Sequence, residues 1–154
     1  MQRVLSARVT VADRVRGEIG AGLLVLLGAT HEDVDADADW MARKVAGLRV
    51  FADEKGLMNR DVRDAGGGIL AVPQFTLYGD ARRGRRPDFV RAARPEHAEP
   101  LFERFCATLA AERVPVARGV FRAHMAVELV NDGPVTLLIE TPPVVPAAGE
   151  AGAA

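Results

Sequence analysis

The chain has few of the residue types that common catalytic sites and secreted folds require. It contains one cysteine, Cys106, which excludes an internal disulfide and is typical of a protein in a reducing cytoplasm. Ser6 is the only serine and lies outside any G-x-S-x-G motif, so the chain lacks a serine nucleophile elbow. With a net charge of −1, the chain as a whole is not a general polyanion binder, and any nucleic-acid contact must come from local charge.

Long hydrophobic segments and metal-ligand clusters are also missing. The longest apolar run, residues 21–29, is too short to span a bilayer, and the first residues lack the apolar core of a signal peptide. The three histidines lie far apart, with no Cys or Glu at ligand spacing. The glycines at 66–68 precede a strand, which is the wrong order for a phosphate-binding loop. We therefore predict no membrane span, no metal and no cofactor.

The remaining pattern predicts one α/β domain. A chain of 154 residues with 49% apolar content is most simply a single domain with a substantial core. Hydrophobic periodicity predicts a helix over 35–48 and a second helix that begins at Pro100. Predicted strands cover 4–11, 15–19, 23–27, 49–51, 69–72, 114–121 and 125–140, and 53–64 is predicted to be irregular. We expect residues 1–141 to form a compact domain with layered mixed β-sheets and two main helices, and residues 142–154 to form a disordered tail.

The segment Asn131-Asp132-Gly133-Pro134-Val135-Thr136 interrupts an otherwise strand-like run. Glycine packs no side chain and proline donates no hydrogen bond to a sheet, so both are poor choices for a plain strand. One interpretation is a bend or tight turn in an edge strand. The other is a rigid presentation of bare carbonyl groups to a small ligand, since an X-Pro bond is also the common place for a cis peptide. The residues alone leave both interpretations open.

A second candidate site lies where a buried strand runs into a polar loop, at Pro73-Gln74-Phe75-Thr76-Leu77. Strand ends are usual positions for sites in layered α/β folds. Gln74 can donate and accept hydrogen bonds, and the backbone amides here could face a developing oxyanion. The alternative is an ordinary strand end in which the threonine has no functional role. Cys106 lies on the apolar face of a predicted helix and is more simply a buried hydrophobe than a nucleophile.

The loop between 78 and 94 is strongly basic. It carries Arg82, Arg83, Arg85, Arg86, Arg91 and Arg94, with Tyr78 and Phe89 nearby. Arginine forks bind phosphates in a bidentate manner, and aromatic rings stack on bases. The pattern favours a phosphate-bearing partner over a merely solvated loop, but it does not distinguish RNA from a nucleotide or an acidic protein.

Together these segments resemble the D-aminoacyl-tRNA deacylase family, of the D-tyrosyl-tRNA deacylase type. The resemblance extends from Gln2 to Glu140. Its residues are those at 22–33, then Gln74-Phe75-Thr76-Leu77-Tyr78, then Gly84-Arg85-Arg86-Pro87, then Pro95-Glu96-His97-Ala98, and finally 131–136. Five pieces in the right order make the resemblance specific, although no single piece is decisive.

The resemblance implies a cytoplasmic homodimer with a barrel-like fold that hydrolyses the ester of D-aminoacyl-tRNA, and of glycyl-tRNA mischarged on tRNA-Ala. It implies that Gly133-Pro134 is cis and reaches the partner subunit's pocket, where parallel carbonyls hold the α-amino group and exclude L side chains. It further implies that Arg3 braces this segment and that Met125, Val135 and Thr136 complete the substrate site.

For catalysis, the resemblance points to Gln74, Phe75 and Thr76. Backbone amides near Phe75 and Thr76 would polarise the ester while the tRNA 2′-OH assists, and Arg82, Arg83, Arg85 and Arg86 would bind tRNA. Binding of DNA or of a membrane is not expected. No side chain acts as the base on this account.

Three departures from the family pattern bear on these expectations. The motif's serine is Pro73 here, which removes a backbone donor. The glycine frequent before the pocket methionine is Arg122, which suggests a changed strand bend or an added charge near the pocket. The first strand begins almost at Met1, so we expect either a frayed edge or a misassigned start. A non-catalytic tRNA-binding homologue, a Thr76-dependent small-molecule esterase and a structural dimer module remain the alternatives.

Overall fold

A computed structural model of the chain describes residues 1–142. The predicted disordered tail lies outside them except for Pro142. The elements in chain order are β1 (Gln2–Val11), β2 (Arg14–Ile19), β3 (Gly22–Leu27), α1 (Asp35–Ala46), β4 (Phe51–Ala52), β5 (Met58–Arg60), β6 (Gly68–Pro73), a 3₁₀ helix (Phe75–Tyr78), α2 (Pro95–Ala111), β7 (Val116–Arg118) and β8 (Ala126–Thr136).

The main sheet is mixed and nearly closed. Its order is β2-β1-β3-β6-β7, and β8 also pairs with β1. Strands β3, β6 and β7 are parallel to one another, whereas β1 pairs antiparallel with β2, β3 and β8. A Cβ atom placed on Gly17 of β2 would lie 2.6 Å from the Arg118 carbonyl oxygen of β7, so the two ends of the sheet approach each other closely. The predicted barrel-like α/β fold is therefore confirmed.

Two apolar clusters hold this sheet. Val4, Val9, Leu24 and Leu70 pack inside the curved sheet together with Ala7 and Val72. The opposite face packs against α1 and α2, where Leu23, Ile69 and Phe105 are fully buried. Strand β3 is thus covered on both faces over residues 23–25, as its continuous apolar run predicts. This arrangement holds the carboxyl ends of β3, β6 and β7 at one edge.

Polar contacts join the two helices on their outer side. Helix α1 begins with Asp37 Oδ2 accepting a hydrogen bond of 2.9 Å from the Val34 amide, a favourable use of an acidic residue in the first turn. Arg104 of α2 donates to Asp35 at 2.8 Å and to Asp39 at 2.7 Å, and Thr108 Oγ1 also donates to Asp39 at 2.7 Å. The Arg104 guanidinium and the Thr108 hydroxyl together lower the pKa of Asp39 to about 2.

Several predicted boundaries are wrong for local reasons. Helix α2 begins at Pro95, not Pro100, because Pro95 occupies the first helical position, where a missing N–H costs no bond. Strand β7 ends at Arg118 because a turn follows, and the segment predicted as irregular contains the short strand β5. The start of β1 is paired, not frayed: the Met1 ammonium donates to the Leu137 carbonyl at 2.7 Å, and the Leu137 amide donates back at 2.9 Å.

Candidate functional site

The edge where β3, β6 and β7 end carries the Gln74–Thr76 segment. The Gln74 amide donates to the Leu27 carbonyl at 2.7 Å, which extends the β3–β6 pairing by one residue. The chain then turns into the 3₁₀ helix, whose first two amides belong to Phe75 and Thr76. The first amides of a helix have no intrahelical acceptor. Among residues 1–142 no side chain caps them either, so two adjacent N–H donors remain at this edge.

The side chains of Gln74 and Thr76 contact each other. Gln74 Nε2 donates to Thr76 Oγ1 at 2.5 Å. Within the described residues this is the only hydrogen bond of the Thr76 hydroxyl, and no histidine or carboxylate accepts its proton. A threonine nucleophile needs such a base beside it. The geometry therefore favours Thr76 as part of a polar rim over Thr76 as the attacking group.

Beside this segment lies an apolar cavity of about 330 Å³. Segments that follow β3, β6 and β7 line it, together with residues of α2 and of the basic loop. Phe75 and Phe89 meet edge to face with ring centroids 5.2 Å apart, and Phe102 and Phe121 lie 6.4 Å apart on the other side. A cavity with aromatic walls and amide donors nearby suits a flat heterocycle with an attached polar group.

Met125 lines neither cavity of the described residues and packs against the apolar cluster inside the sheet. A Cβ atom placed on Gly119 would lie 2.9 Å from Met125 Sδ and 3.3 Å from Pro73 Cδ, so both side chains pack close to Gly119. The Val120 amide donates to Met125 Sδ at 3.3 Å. The structure therefore brings Met125 together with the residue that precedes Gln74. Pro73 still pairs with Leu27 at the end of β6.

Arg122 also lines the cavity, in the turn that follows β7. Its φ of 60° is in the left-handed region, which favours glycine. The arginine therefore occupies a bend that glycine would adopt more easily. The added side chain is exposed.

The Gly133–Pro134 peptide bond is cis and lies within β8. Arg3 is the neighbour that holds this segment: its Nη1 donates to the Val50 carbonyl at 2.5 Å, and its Nε lies 2.9 Å from Asp132 Oδ2. That Nε–H is buried and aligned with no acceptor among the described residues, so the Asp132 contact is an ion pair rather than a hydrogen bond. A Cβ atom on Gly133, whose φ is 120°, would lie 2.9 Å from Arg3 Nη2.

The chain does not bring all the predicted substrate residues together. Gly133 and Pro134 are exposed, and neither lines the 330 Å³ cavity or a second, larger one of about 580 Å³. Thr136 lines the larger cavity together with Tyr78, and Asn131 Nδ2 donates to Thr136 Oγ1 at 3.4 Å. Val135 is partly buried and packs against the core.

In the basic loop, Arg82 is already paired. It donates to Asp80 through Nε and Nη2, and this contact lowers the pKa of Asp80 to about 2. Arg83, Arg85 and Arg86 are exposed and form no ion pair within residues 1–142. Arg91 lies over the Tyr78 ring at 5.6 Å. Three of the four predicted tRNA-binding arginines therefore have unpaired guanidinium groups.

Other reactive groups lie away from this edge. Cys106 is fully buried, and burial raises the pKa of its thiol to about 11, which fits a packing role. The ring nitrogens of His31 and His97 lie 3.1 and 2.8 Å from backbone carbonyls. Over residues 1–142, no three His, Cys, Asp or Glu side chains cluster in a way that could hold a metal ion, and no helix is long and apolar enough to cross a membrane.

Sequence patterns did not single out the aromatic cavity as a unit. Its walls come from Gly28, Phe75, Phe89, Phe102 and Phe121, which belong to separate segments. Phe89 and the position of Arg122 had been noticed individually. The only signal that could have joined them was the expectation that parallel strand ends meet at one edge.

Comparisons with known proteins match nearly the whole of the described chain to one family. The family described as D-Tyr-tRNA(Tyr) deacylase matches residues 1–140. The D-aminoacyl-tRNA deacylase of Symbiobacterium thermophilum is 62% identical over 141 residues, covering 92% of this chain and 93% of that protein. The protein of the same name from Thermus aquaticus is 57% identical over 141 residues, with the same coverage.

Two solved structures share the fold. One, named c-Myc DNA Unwinding Element Binding Protein, is 41% identical with a TM-score of 0.86, over 92% of this chain and 96% of that one. The other, described as a probable eukaryotic D-amino acid tRNA deacylase, is 17% identical with a TM-score of 0.73, over 86% of this chain and 92% of that one. The family match over almost the whole of the described chain decides the classification: this chain belongs to the D-Tyr-tRNA(Tyr) deacylase family.

Proposed function

We propose that this chain is a D-aminoacyl-tRNA deacylase, a hydrolase that cleaves the ester between a D-amino acid and the 3′ end of tRNA. The observation that carries the proposal is the pair of uncapped amides of Phe75 and Thr76 beside an apolar, aromatic cavity. Family membership and relatives at 57–62% identity support it. We expect it to act in the cytoplasm, where charged tRNA is used.

The amides act on the ester carbonyl. As a nucleophile attacks, negative charge develops on the carbonyl oxygen, and two backbone N–H groups stabilise it without a change of position. Water supplies the nucleophile, the 2′-OH of the terminal ribose assists the proton transfer, and the ester C–O bond breaks. The products are a free D-amino acid and tRNA with an intact 3′-terminal hydroxyl. Gln74 orients Thr76 through their hydrogen bond, and neither side chain is the base.

The terminal adenosine of tRNA fits the 330 Å³ cavity. Its aromatic walls suit a purine, and Pro73 completes the lining at the end of β6. A base held there keeps the 3′ oxygen at the mouth, near the Phe75 amide. Holding the ester in this geometry is itself a large part of catalysis in sites that contain no covalent intermediate.

Chiral selection comes from Gly133-Pro134 of the partner subunit in a homodimer. Both residues are exposed and line neither cavity of their own chain, while β1 and β8 leave Leu5 and Val130 57% and 51% exposed. Exposed apolar side chains on neighbouring strands are typical of an interface. The Gly133 and Pro134 carbonyls accept hydrogen bonds from the α-amino group, and the backbone leaves no space for an L side chain. Arg3 keeps the segment in place.

The same selection does not reject glycine, which has no side chain to exclude. We therefore expect glycyl-tRNA mischarged on tRNA-Ala to be a substrate as well. Val135 and Thr136, which directly follow Pro134, support the segment that carries these carbonyl groups. The substitution Val130→Asp should give a monomer that folds but no longer cleaves the D ester.

The exposed arginines of the loop bind the tRNA backbone. Arg85→Ala or Arg86→Ala should weaken tRNA binding and reduce the slope of log affinity against log salt by about one unit each. Arg82→Ala should have a smaller effect because Asp80 already neutralises that guanidinium. A duplex DNA competitor belongs in the assay, since one related structure is named for binding a DNA element.

The decisive experiment compares the hydrolysis of two substrates and also measures tRNA binding. D-aminoacyl-tRNA and an ethyl ester of the same D-amino acid are incubated with the protein, and released amino acid is measured against spontaneous hydrolysis. We expect cleavage of the tRNA ester only. A non-catalytic homologue would bind tRNA in a salt-dependent manner and cleave neither substrate. An esterase that depends on Thr76 would cleave the ethyl ester and would be indifferent to Arg85→Ala.

A further inference from the structure

Arg122 is the one charged residue among those that line the 330 Å³ cavity. The other lining side chains are apolar or are glycine. Within residues 1–142, Arg122 forms no ion pair and no hydrogen bond, whereas Arg82, Arg104 and Arg118 each pair with a carboxylate. Because the side chain is exposed, its guanidinium is hydrated and is free to pair with an anionic group of a bound ligand.

The backbone at Arg122 makes its presence more informative. The residue has a φ of 60°, a conformation in which a Cβ atom is disfavoured and glycine is preferred. Non-glycine residues held in such conformations cluster at functional sites. This chain therefore places a long cationic side chain at a turn that a glycine would form more easily, directly beside the aromatic cavity.

The position relative to the cavity suggests the ligand. Arg122 follows β7 and the Phe121 ring, and its side chain is exposed, so the guanidinium reaches solvent from the rim of an apolar space. A terminal nucleoside bound in that space has two polar connections that must leave it. One is the 3′ ester, which faces the amides of Phe75 and Thr76, and the other is the 5′ oxygen with its phosphate. A guanidinium binds a phosphodiester through paired N–H groups and remains charged at any working pH.

We propose that Arg122 binds the phosphodiester on the 5′ side of the terminal adenosine and so makes this enzyme selective for esters of a polynucleotide over esters of a free nucleoside. The inference rests on the proposed function. It assigns Arg122 to substrate recognition and leaves the ester chemistry to the amides of Phe75 and Thr76.

The test uses two small substrates that differ only in one phosphate: 3′-O-D-aminoacyl-adenosine and its 5′-monophosphate. For the wild-type protein we expect kcat/KM to be about tenfold higher with the 5′-phosphate. A tenfold ratio corresponds to about 1.4 kcal/mol, near the lower limit for a hydrogen bond to a charged group. In Arg122→Gly the preference should fall to about one, and in Arg122→Lys it should be intermediate.

Arg113→Gly is the matched control. Arg113 also has a left-handed φ, 62°, and is exposed, but it lies in the turn after α2 and does not line the cavity. Both glycine variants relieve the same backbone conformation, so a stability change alone would affect them alike. Only Arg122→Gly should lose the preference for the 5′-phosphate, and both should remain folded.

The outcomes separate the two proposals. If wild-type protein cleaves both substrates and Arg122→Gly retains the same 5′-phosphate preference, the assignment of Arg122 is overturned while the deacylase activity stands. An equal loss on both substrates would also overturn it, because that result indicates stacking on the base or a change of cavity shape. If wild-type protein cleaves neither of them nor D-aminoacyl-tRNA, the proposed function fails and the inference fails with it.

Discussion

Replacing Phe75 by proline removes one of the two backbone donors on which the proposed chemistry depends. Phe75 is the first residue of the 3₁₀ helix, a position where the φ that proline imposes is already suitable and the N–H has no helical partner. Gln74 has φ −145° and ψ 87°, which lies outside the α region that a following proline disfavours. The fold should therefore accept Phe75→Pro with little change.

The expected loss of activity follows from the role of the amide. Removing one donor to a developing oxyanion typically lowers kcat by a factor of about 10² to 10³. The substitution also removes the Phe75 ring, which contacts Phe89 at 5.2 Å and lines the cavity. Phe75→Ala keeps the amide and loses the same ring, so the ratio between the two variants isolates the N–H.

The assay is single-turnover deacylation of D-aminoacyl-tRNA at saturating enzyme, with tRNA affinity and thermal unfolding measured on both variants. We expect Phe75→Pro to be slower than Phe75→Ala by a factor of about 10². Equal rates in two folded variants with equal tRNA affinity would refute the reasoning, since the Phe75 amide would then contribute nothing to the chemical step.

Three further predictions concern other parts of the molecule. Thr76→Ala should lower the single-turnover rate only about 2- to 13-fold, because it removes one exposed hydrogen bond worth about 0.5–1.5 kcal/mol. Gly133→Ala should lose most activity on the D ester, because the new Cβ atom would lie 2.9 Å from Arg3 Nη2 and would displace that side chain. The φ of 120° at this position also disfavours a residue with a Cβ atom. Asp39→Asn should lower the free energy of unfolding in urea at neutral pH, with a difference from wild type that disappears as the pH falls from about 4 to 2.

Each of these predictions has a control. A loss on the order of 10⁶ in Thr76→Ala that Thr76→Ser restores would instead indicate a hydroxyl nucleophile. Gly56→Ala changes another left-handed glycine, φ 78°, with no atom near the new Cβ, and should stay active. For Asp39, the pKa is lowered in the folded state, so its stabilisation is present above the unfolded value of about 3.9 and is lost towards 2. With Arg104→Ala already present, Asp39→Asn should add much less.

Sequence patterns predicted the elements whose periodicity is strong. Helix α1 was predicted over 35–48 and covers Asp35–Ala46, and the continuous apolar run of β3 is buried where the run is most regular. Both elements are determined by which side chains must avoid water, a property visible in one segment at a time. The α/β class follows from their alternation.

Sequence patterns predicted poorly those elements whose existence or boundary depends on one backbone group or on a weak hydrophobic pattern. Strand β5 has three exposed residues, Met58–Arg60, and no alternation to detect. Helix α2 contains Pro100 inside it, and the loss of one N–H early in a 17-residue helix is tolerated because its apolar face packs on the core. The hydrophobic pattern alone does not show whether packing of the apolar face outweighs the loss of one backbone hydrogen bond.

The candidate site was predictable as short motifs and not as a shape. Gln74-Phe75-Thr76 and Gly133-Pro134 were singled out as unusual where they stand, yet the cavity exists only because three parallel strands end together. That Gly133 and Pro134 do not line the cavity of their own chain is likewise visible only in the folded structure. The left-handed φ of Arg122 is a property of its turn that no residue type in the sequence reveals.

The measurement that tests the central claim most directly compares tRNA charged with the D and L forms of one amino acid. Both substrates are followed in single turnover with EDTA present, so that a labile metal cannot contribute. The account predicts rapid loss of the D ester and survival of the L ester at its spontaneous rate. Equal cleavage of both forms, or cleavage of neither while tRNA is bound, would contradict it.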